Sequence, residues 1–326
     1  MDSIVIKEFV KGQEDYIVTI HNQAFKNLIE DLGELYCYKF ITKYDVENWT
    51  LNNHSKIFII YFNKEPIGYT HCQVEEITGK SKIKELVFIE TKESLSQSKI
   101  AIIPKYQNQG FGKILINHAI NYFADIDSIL VLAYNDNHAM TFILSKLGFK
   151  HEKLFFYSKY SLDKPYSNDS VLAYFNLNNQ IPKINYNEKV TVRPIEKKDY
   201  NAMQQIFGES RPDVFGTNPS FENIVEWIDS GWGEVTLVAE FDGKTVGCME
   251  FTKKGVIGIP GILLDYRKKG IGSTLFYNLL RKMKEMGYKK ALADTGFVLE
   301  DAIKMYKKFN FNLNRELWSW IKIIRK

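Results

Sequence analysis

At 326 residues, with 45% hydrophobic and 25% charged residues, the chain has the composition of an ordinary globular protein and room for two domains of roughly 150 residues. No apolar run approaches a membrane span, MDSIVIKEFV lacks the layout of a signal peptide, and Cys37, Cys72 and Cys248 fit neither a disulfide framework nor a zinc pattern, so a cytoplasmic setting without metal or membrane is expected. The net charge of +4 divides unevenly: the first 185 residues hold 20 Lys, no Arg and 21 acids, and the remainder 23 cations and 18 acids, which favours an anionic ligand in the second part and falls well short of a nucleic-acid stripe.

In chain order, IVIKEFV (4–10) predicts a strand, and the segment from Asp15-Tyr16 to Phe25 a helix. KIFIIYFNKEPIGYTHCQVEE (56–76) predicts a hairpin. An apolar strand follows around Ile100 to Ile102, then the turn KYQNQGFGKIL (105–115) and an amphipathic helix marked by Leu115, Ala119, Ile120 and Phe123. SILVLAY (128–134) is the next strand, and the helix after it closes at SKLGF (145–149). LDKPYSNDS and NNQIPKINYNEK, rich in Asn, Pro and Ser, predict a linker region, with a domain boundary near 183.

The same order then repeats. VTVRPIEKKDYNAMQQIF (190–207) matches the opening strand and helix, and VTLVAEFDGKTVGCMEF (235–251) the hairpin. GIPGILLDYRKKGIGSTL holds the strand and turn, and Leu275, Leu279, Leu280 and Met283 mark the helix. KKALADTGF (289–297) precedes a helix closed by KKFNF (307–311). Both halves therefore read β-α-(α)-β-β-β-α-β-α-β, over 1–183 and 184–326.

The paired glycine turns, GFG at 110–112 and GIG at 270–272, do not fit two familiar phosphate loops. A dinucleotide turn needs a third glycine where Leu115 and Leu275 stand, and a P-loop needs Ser or Thr after Gly-Lys, where Ile114 stands. A plain strand-to-helix connection is the structural alternative, and repetition argues against it. A helix N-terminus edged by glycine, with Lys268 and Lys269 alongside, suits a pyrophosphate.

RKKGIG, preceded by a strand and Tyr266, resembles the Q/R-x-x-G-x-G/A motif of the GCN5-related N-acetyltransferases, and QNQGFG matches the same pattern. With the element order, the resemblance covers nearly the whole chain and implies two tandem folds of this family, as in mycothiol synthase-like proteins. Each would be an α/β unit with a mixed, mostly antiparallel sheet flanked by helices. It implies acetyl-CoA as co-substrate, bound through strand positions Pro260, Gly261 and Ile262 and turn positions Arg267, Lys268, Lys269, Gly270, Ile271, Gly272 and Ser273. Proline at 260 leaves only its carbonyl for pairing. The first-half equivalents are Ile100, Ala101 and Ile102, then Gln107, Asn108, Gln109, Gly110, Phe111, Gly112 and Lys113, with Asn137 retained from a later motif.

Acetylation of an amine needs a base for the amine and a proton for the departing thiolate. The family often supplies the acid as a tyrosine on the late helix: that position is Tyr306 in the second half and Leu144 in the first. Asp294 is the base candidate suggested by relatives, matched by Leu132 in the first half, and Glu250 on the hairpin is a second. The second half, although Leu299 and Asn310 depart from the pattern, is thus expected to be catalytic and the first degenerate, with weaker or absent acetyl-CoA binding. A small-molecule primary amine is the expected acceptor, with Arg211, Asp213, Phe215, Trp227 and Trp232 as candidate pocket residues and Trp318 and Trp320 as core or cleft. The chain is expected to act as a monomer or homodimer without nucleic-acid or membrane partners. A CoA-responsive regulator without turnover is the rival.

Overall fold

In a computed structural model, the described residues are 3–32, 39–51, 55–83, 85–126, 128–151, 154–158, 161–167, 169–183, 187–210, 217–229, 233–258, 260–296 and 299–324, with backbone alone at 31–32, 74–83, 85–98, 154–158 and 161–167. The elements run β1 (Ile4–Glu8), α1 (Glu14–Leu32), α2 (Lys43–Thr50), β2 (Ser55–Phe62), β3 (Glu65–Ile83), β4 (Glu85–Ile102), α3 (Phe111–Tyr122), β5 (Ser128–Tyr134), α4 (His138–Lys146), β6 (Lys150–His151), β7 (Leu154–Ser158), β8 (Ser161–Ser167) and β9 (Ser170–Asn176). Then follow β10 (Val190–Pro194), α5 (Tyr200–Ser210), α6 (Phe221–Asp229), β11 (Val235–Phe241), β12 (Lys244–Phe251), β13 (Gly261–Ile262), α7 (Ile271–Glu285), β14 (Lys290–Gly296), α8 (Glu300–Lys308) and β15 (Asn312–Ile323).

The repeat expected from the sequence is present, but LDKPYSNDS does not form a linker: residues 161–167 and 170–176 are strands. Apolar SVLAYFN outweighs the turn-forming neighbours because it has a sheet to join. The chain packs as two compact units, residues 1–156 with 317–326, and residues 157–316.

In the first unit β1, β2, β3 and β4 form an antiparallel run. Strand β4 then pairs in parallel with β5 over Ser94–Gln97 against Ser128–Val131. On the far side of β5 lies the end of β15, Leu317 to Ile323 against Tyr134 to Ser128. In the second unit β10, β11, β12 and β13 are antiparallel neighbours. Val256 bridges Leu292 in parallel, and β14 pairs along its length with β9, Lys290 to Gly296 against Asn176 to Ser170.

Two glycines fix the equivalence of the hairpins. Gly68 faces Ile102 and Gly247 faces Ile262 across the ladder, and a Cβ at either would collide with that isoleucine and with the carbonyl of the residue before it. Only glycine allows such an approach. Alternation along β12 sends Met249 and Phe251 into the core beneath α7 and α8, with Leu275, Leu279 and Tyr306. Val238 and Cys248 face the other way, into a core with Met203, Ile206 and Phe207 of α5 and Ile224 of α6.

Candidate active site

The two glycine turns are built alike. Gly110 and Gly270 each occupy the N-cap in the left-handed region, at φ 89° and 80°, and Asn108 and Lys268 join them there at 61° and 62°. The chain thereby turns from a short 3₁₀ segment straight into α3 or α7, leaving helix-terminal N–H groups directed outward with the positive end of the dipole. A Cβ on Gly110 would meet nothing within 4 Å, so open space lies where a pyrophosphate would approach. At Gly270 the nearest neighbour of such a Cβ is Asn187 Cβ, at 3.5 Å. Asn187 also donates from Nδ2 to the Lys269 carbonyl (2.9 Å) and from its amide to Thr274 Oγ1 (3.0 Å).

The first motif position has a backbone role in both copies. Gln107 Nε2 donates to the Ile102 carbonyl at 2.8 Å, and Arg267 Nε to the Ile262 carbonyl at 3.1 Å. Each clamps the turn to the strand before it. Lys269 lies over the Tyr266 ring, 4.9 Å from its centroid, while exposed Lys268 extends from the strained turn. Sequence reasoning missed Lys308: its Nζ donates to Ser273 Oγ at 3.0 Å, placing a third cation by the first turn of α7. The signal was the KKF closing motif, whose second lysine follows Tyr306 by two residues.

Beside each turn the sheet opens. In the second unit Leu292 N donates to the Gly255 carbonyl, and Ile257 N to the Leu292 carbonyl; by Gly261–Ile262 the strand pairs with β12. Asp294 and Thr295 lie just beyond the last of those bonds. In the first unit the β4–β5 ladder ends similarly at Gln97 and Val131, with Leu132 beyond it. Such a splay is an opening in which an extended thioester arm can lie between strands, beside 100–102 or 260–262; the Ile102 and Ile262 carbonyls already accept from Gln107 and Arg267.

The catalytic candidates distribute around that opening. Tyr306 is 3% exposed, its ring among Phe276, Phe309 and Phe311, and its hydroxyl accepts from Thr295 Oγ1 at 3.1 Å. Burial raises its pKa, with the Asp294 charge adding to the effect. Leu144, its counterpart, is equally buried, so the position is a core position in both units. Asp294 is solvent-exposed by area yet closely surrounded by protein, as a group on a cleft wall is. Burial raises its pKa, against the hydrogen bonds from Ser170 and the Thr295 amide. Since Thr295 faces α8, adjacent Asp294 points to the opposite face of β14. Acid and base candidates thus flank the opening from opposite sides.

Glu250 is buried on that same opposite face, with Oε2 3.4 Å from Trp227 Nε1 and its side chain against Gly233 and Gly258. Asn137 caps α4 by accepting from Met140 N at 3.1 Å, whereas Leu299 gives α8 no side-chain cap. Asn310 replaces the glycine of the closing motif and takes its left-handed conformation, φ 58° against 81° at Gly148, as asparagine does at lower cost than other residues. Trp318 stacks on His151 at 4.4 Å, and Trp320 is buried in the first unit's core. Arg211, Asp213, Phe215 and Trp232 lie outside the described residues. Among those described, no group of three or more His, Cys, Asp or Glu is placed to hold a metal ion, and no helix is long and apolar enough to cross a membrane.

The family model of the Acetyltransferase (GNAT) family matches residues 21–149 and again 200–311. Among solved structures, a tandem GNAT protein from the clavulanic acid biosynthesis pathway aligns over 99% of both chains at 10% identity and a TM-score of 0.61. A GCN5-related N-acetyltransferase from Sphaerobacter thermophilus aligns over 99% of this chain and 96% of its own at 14% identity and 0.57. A glucosamine N-acetyltransferase region of a fungal multi-domain β-N-acetylglucosaminidase is similar at 14% identity and 0.56, over 99% of this chain and 38% of that one. No curated protein matches the chain in sequence.

Proposed function

Because the chain belongs to the acetyltransferase (GNAT) family and has two of its folds in tandem, we propose that it moves an acetyl group from acetyl-CoA to a primary amine of a small molecule, with the chemistry in the second unit. The duplicated halves, 1–183 and 184–326, then divide the work, the first supporting the second. The observation that carries this is the second unit's combination of a glycine-capped helix N-terminus, three lysines around it, and titratable groups beside the opened sheet.

Acetyl-CoA supplies the activated acyl carbon. Lys268, Lys269, Lys308 and the first-turn amides of α7 hold the pyrophosphate, and the backbone of Pro260, Gly261 and Ile262 lies along the pantetheine arm. Asp294, its affinity for a proton raised by burial, receives the proton of the incoming ammonium, with Glu250 as the alternative acceptor. The freed nitrogen lone pair forms the N–C bond as the C–S bond breaks, and the second proton, which the nitrogen must shed to become an amide, passes to solvent. Tyr306, which burial keeps protonated at neutral pH, passes its hydroxyl proton to the departing thiolate; the phenolate keeps the hydrogen bond from Thr295 Oγ1 and regains a proton after the product leaves.

The test is thiol release from acetyl-CoA against an amine panel. With Tyr306→Phe, kcat falls about a hundredfold, the usual weight of general acid catalysis, while KM for acetyl-CoA stays within twofold or so because the phenol touches no phosphate group. An unchanged kcat removes Tyr306 from the chemistry. The burial of Tyr306 in the aromatic core favours one rival, a CoA-responsive binding protein, and tight acetyl-CoA binding without transfer to any amine would establish it.

A further inference from the structure

The second glycine turn is held from outside its own motif, by a residue that precedes β10. Half-buried Asn187 uses every polar atom it has at this place. Its Nδ2 donates to the Lys269 carbonyl at 2.9 Å, and its amide to Thr274 Oγ1 at 3.0 Å. Its Oδ1 accepts from the Lys189 amide and its carbonyl from the Val190 amide, both at 3.0 Å. Bonded at both ends of its carboxamide, the side chain is fixed. The Thr274 hydroxyl in turn donates to the Gly270 carbonyl at 3.1 Å. Asn187 thus grips the two carbonyls that flank the Gly270 α-carbon, the first directly and the second through Thr274.

The duplicate shows that the turn itself does not need this hold. Counted from Gly110 and Gly270, Thr274 corresponds to Ile114, which has no hydroxyl, and Lys269 to Gln109, whose Nε2 is turned to the Lys105 carbonyl at 3.0 Å. Yet the first turn has the same conformation, φ 61° and 89° at Asn108 and Gly110 against 62° and 80° at Lys268 and Gly270. The amide bond to Thr274 suffices to tie the start of β10 to α7, and the side-chain bond acts on the turn. A trans peptide unit is planar, with its C=O and N–H pointing opposite ways, and no described peptide bond is cis. Holding the Lys269 and Gly270 carbonyls therefore fixes the directions of the Gly270 and Ile271 N–H groups, away from Asn187. Strand β10 is the outer member of the run β10-β11-β12-β13, and the sheet opens at the other end, between β13 and β14. Asn187 accordingly reaches the turn from the side remote from the opening.

We propose that Asn187 is a positioning residue of the second cradle: by holding the carbonyls on either side of Gly270, it aims the Gly270 and Ile271 N–H groups at the face where the pyrophosphate of acetyl-CoA lies. Glycine has the most backbone freedom of any residue. With its two peptide planes held, the anion meets donors already in place, and binding does not have to order them. In the first turn Ile114 cannot supply the hydroxyl link, so two cradles of like conformation differ in how firmly their donors are set. The role rests on the acetyl-CoA reading proposed above.

The test uses full-length protein carrying carbonyl-¹³C lysine and ¹⁵N glycine. A carbonyl-edited amide spectrum then shows only the glycines that follow a lysine, Gly12, Gly255 and Gly270, and Lys269→Arg, which breaks the labelled pair, assigns Gly270 by its disappearance. CoA is the probe, with its affinity measured by calorimetry. Saturating CoA is expected to move the Gly270 amide downfield, as a new hydrogen bond does, and to leave Gly12 in place. Asn187→Ala is expected to weaken CoA binding about tenfold, the effect of one hydrogen bond, and to reduce the Gly270 shift at saturation. Thr274→Val acts in the same direction, and Thr274→Ser, which keeps the hydroxyl, does not. Unmoved Gly12 and Gly255 signals in the free variants report that both units are folded, and whichever of Asn187→Ala and Thr274→Val passes that check decides. CoA affinity within about twofold of wild type, a full Gly270 shift in the variant, or a wild-type Gly270 amide that saturating CoA leaves unmoved overturns the proposal. A merely structural Asn187 would lower the melting temperature and leave the Gly270 shift as it is. Calorimetry separates the two failures: CoA that binds without the expected Gly270 behaviour removes the role of Asn187 alone, whereas no CoA binding by the chain removes the acetyltransferase reading with it.

Discussion

Asp199 shows how much one side chain can hold at the start of the second unit. Its carboxylate accepts from both guanidinium nitrogens of Arg193, at 2.7 and 2.8 Å, from Thr245 Oγ1 at 2.8 Å and from the Glu196 amide at 2.8 Å. Arg193 also pairs with Glu240 at 2.7 Å. Burial alone would raise the Asp199 pKa, but the Arg193 guanidinium and the other donors bring it down to about 2. A depressed carboxylate stabilises the fold above its unfolded pKa of about 3.9, and that contribution, about 2 kcal/mol, fades as pH falls from about 4 towards 2. Asp199→Asn removes the charge from a pair that is 2% and 17% exposed, and is expected to cost about 3 kcal/mol at pH 7. Urea melts at pH 7 and pH 3 check both statements: the gap between wild type and variant must shrink at the lower pH, and an equal gap would show that Asp199 does not titrate in this range.

At the scale of elements, the turn before α7 combines strain with charge. Lys268 at φ 62° sits where an L side chain costs about 1–2 kcal/mol, and a cation held in such a place suits a ligand-binding role. Lys268→Gly relieves the strain while loosening the unfolded chain, for a net gain of about 0.5 kcal/mol. The same change is expected to raise KM for acetyl-CoA about fivefold, the weight of one exposed charge contact. A melt and a saturation curve on one variant decide it: parallel loss of stability and affinity would mean that Lys268 only shapes the turn. These turns were legible in the sequence because glycine spacing, flanking apolar runs and repetition all point to one local geometry. The hairpins and the helix cores, Leu275, Leu279, Leu280 and Met283 among them, were legible through periodicity. The Trp227–Glu250 contact and the His21–Tyr69 and His71–Ser55 pairs were not, since each joins residues 16 to 48 positions apart and depends on strand register. The clamp role of Gln107 and Arg267 was equally hidden, because their partners are backbone carbonyls, which leave no mark on composition.

For the whole molecule, the two packing units do not follow a single cut in the chain. Residues 170–176 precede the predicted boundary near 183, yet they flank β14 and place Ala173, Phe175 and Leu177 in the core beneath α7 and α8. Residues 317–323 follow the last helix of the second copy, yet they flank β5 of the first unit. Repetition in the sequence reveals the copies but not which sheet each last strand joins, because an apolar strand is equally suited to either. A fragment of residues 184–326 therefore retains every helix of the second copy and lacks the strand that closes its sheet. It loses Phe175, Leu177 and Ile181 from the core, each worth about 1.5–3 kcal/mol on burial, together a large share of the roughly 5–15 kcal/mol that holds a domain folded. It also bares the β14 edge to other chains. Residues 157–316 retain both the strand and those side chains. The longer-reaching fragment 157–316 is expected to melt cooperatively with slow amide exchange along Lys290–Gly296, and 184–326 to aggregate or to show no cooperative transition. Equal cooperative melting of both fragments would show that the second copy is stable without its borrowed strand, and would leave the tandem arrangement to be explained by the sites rather than by the fold.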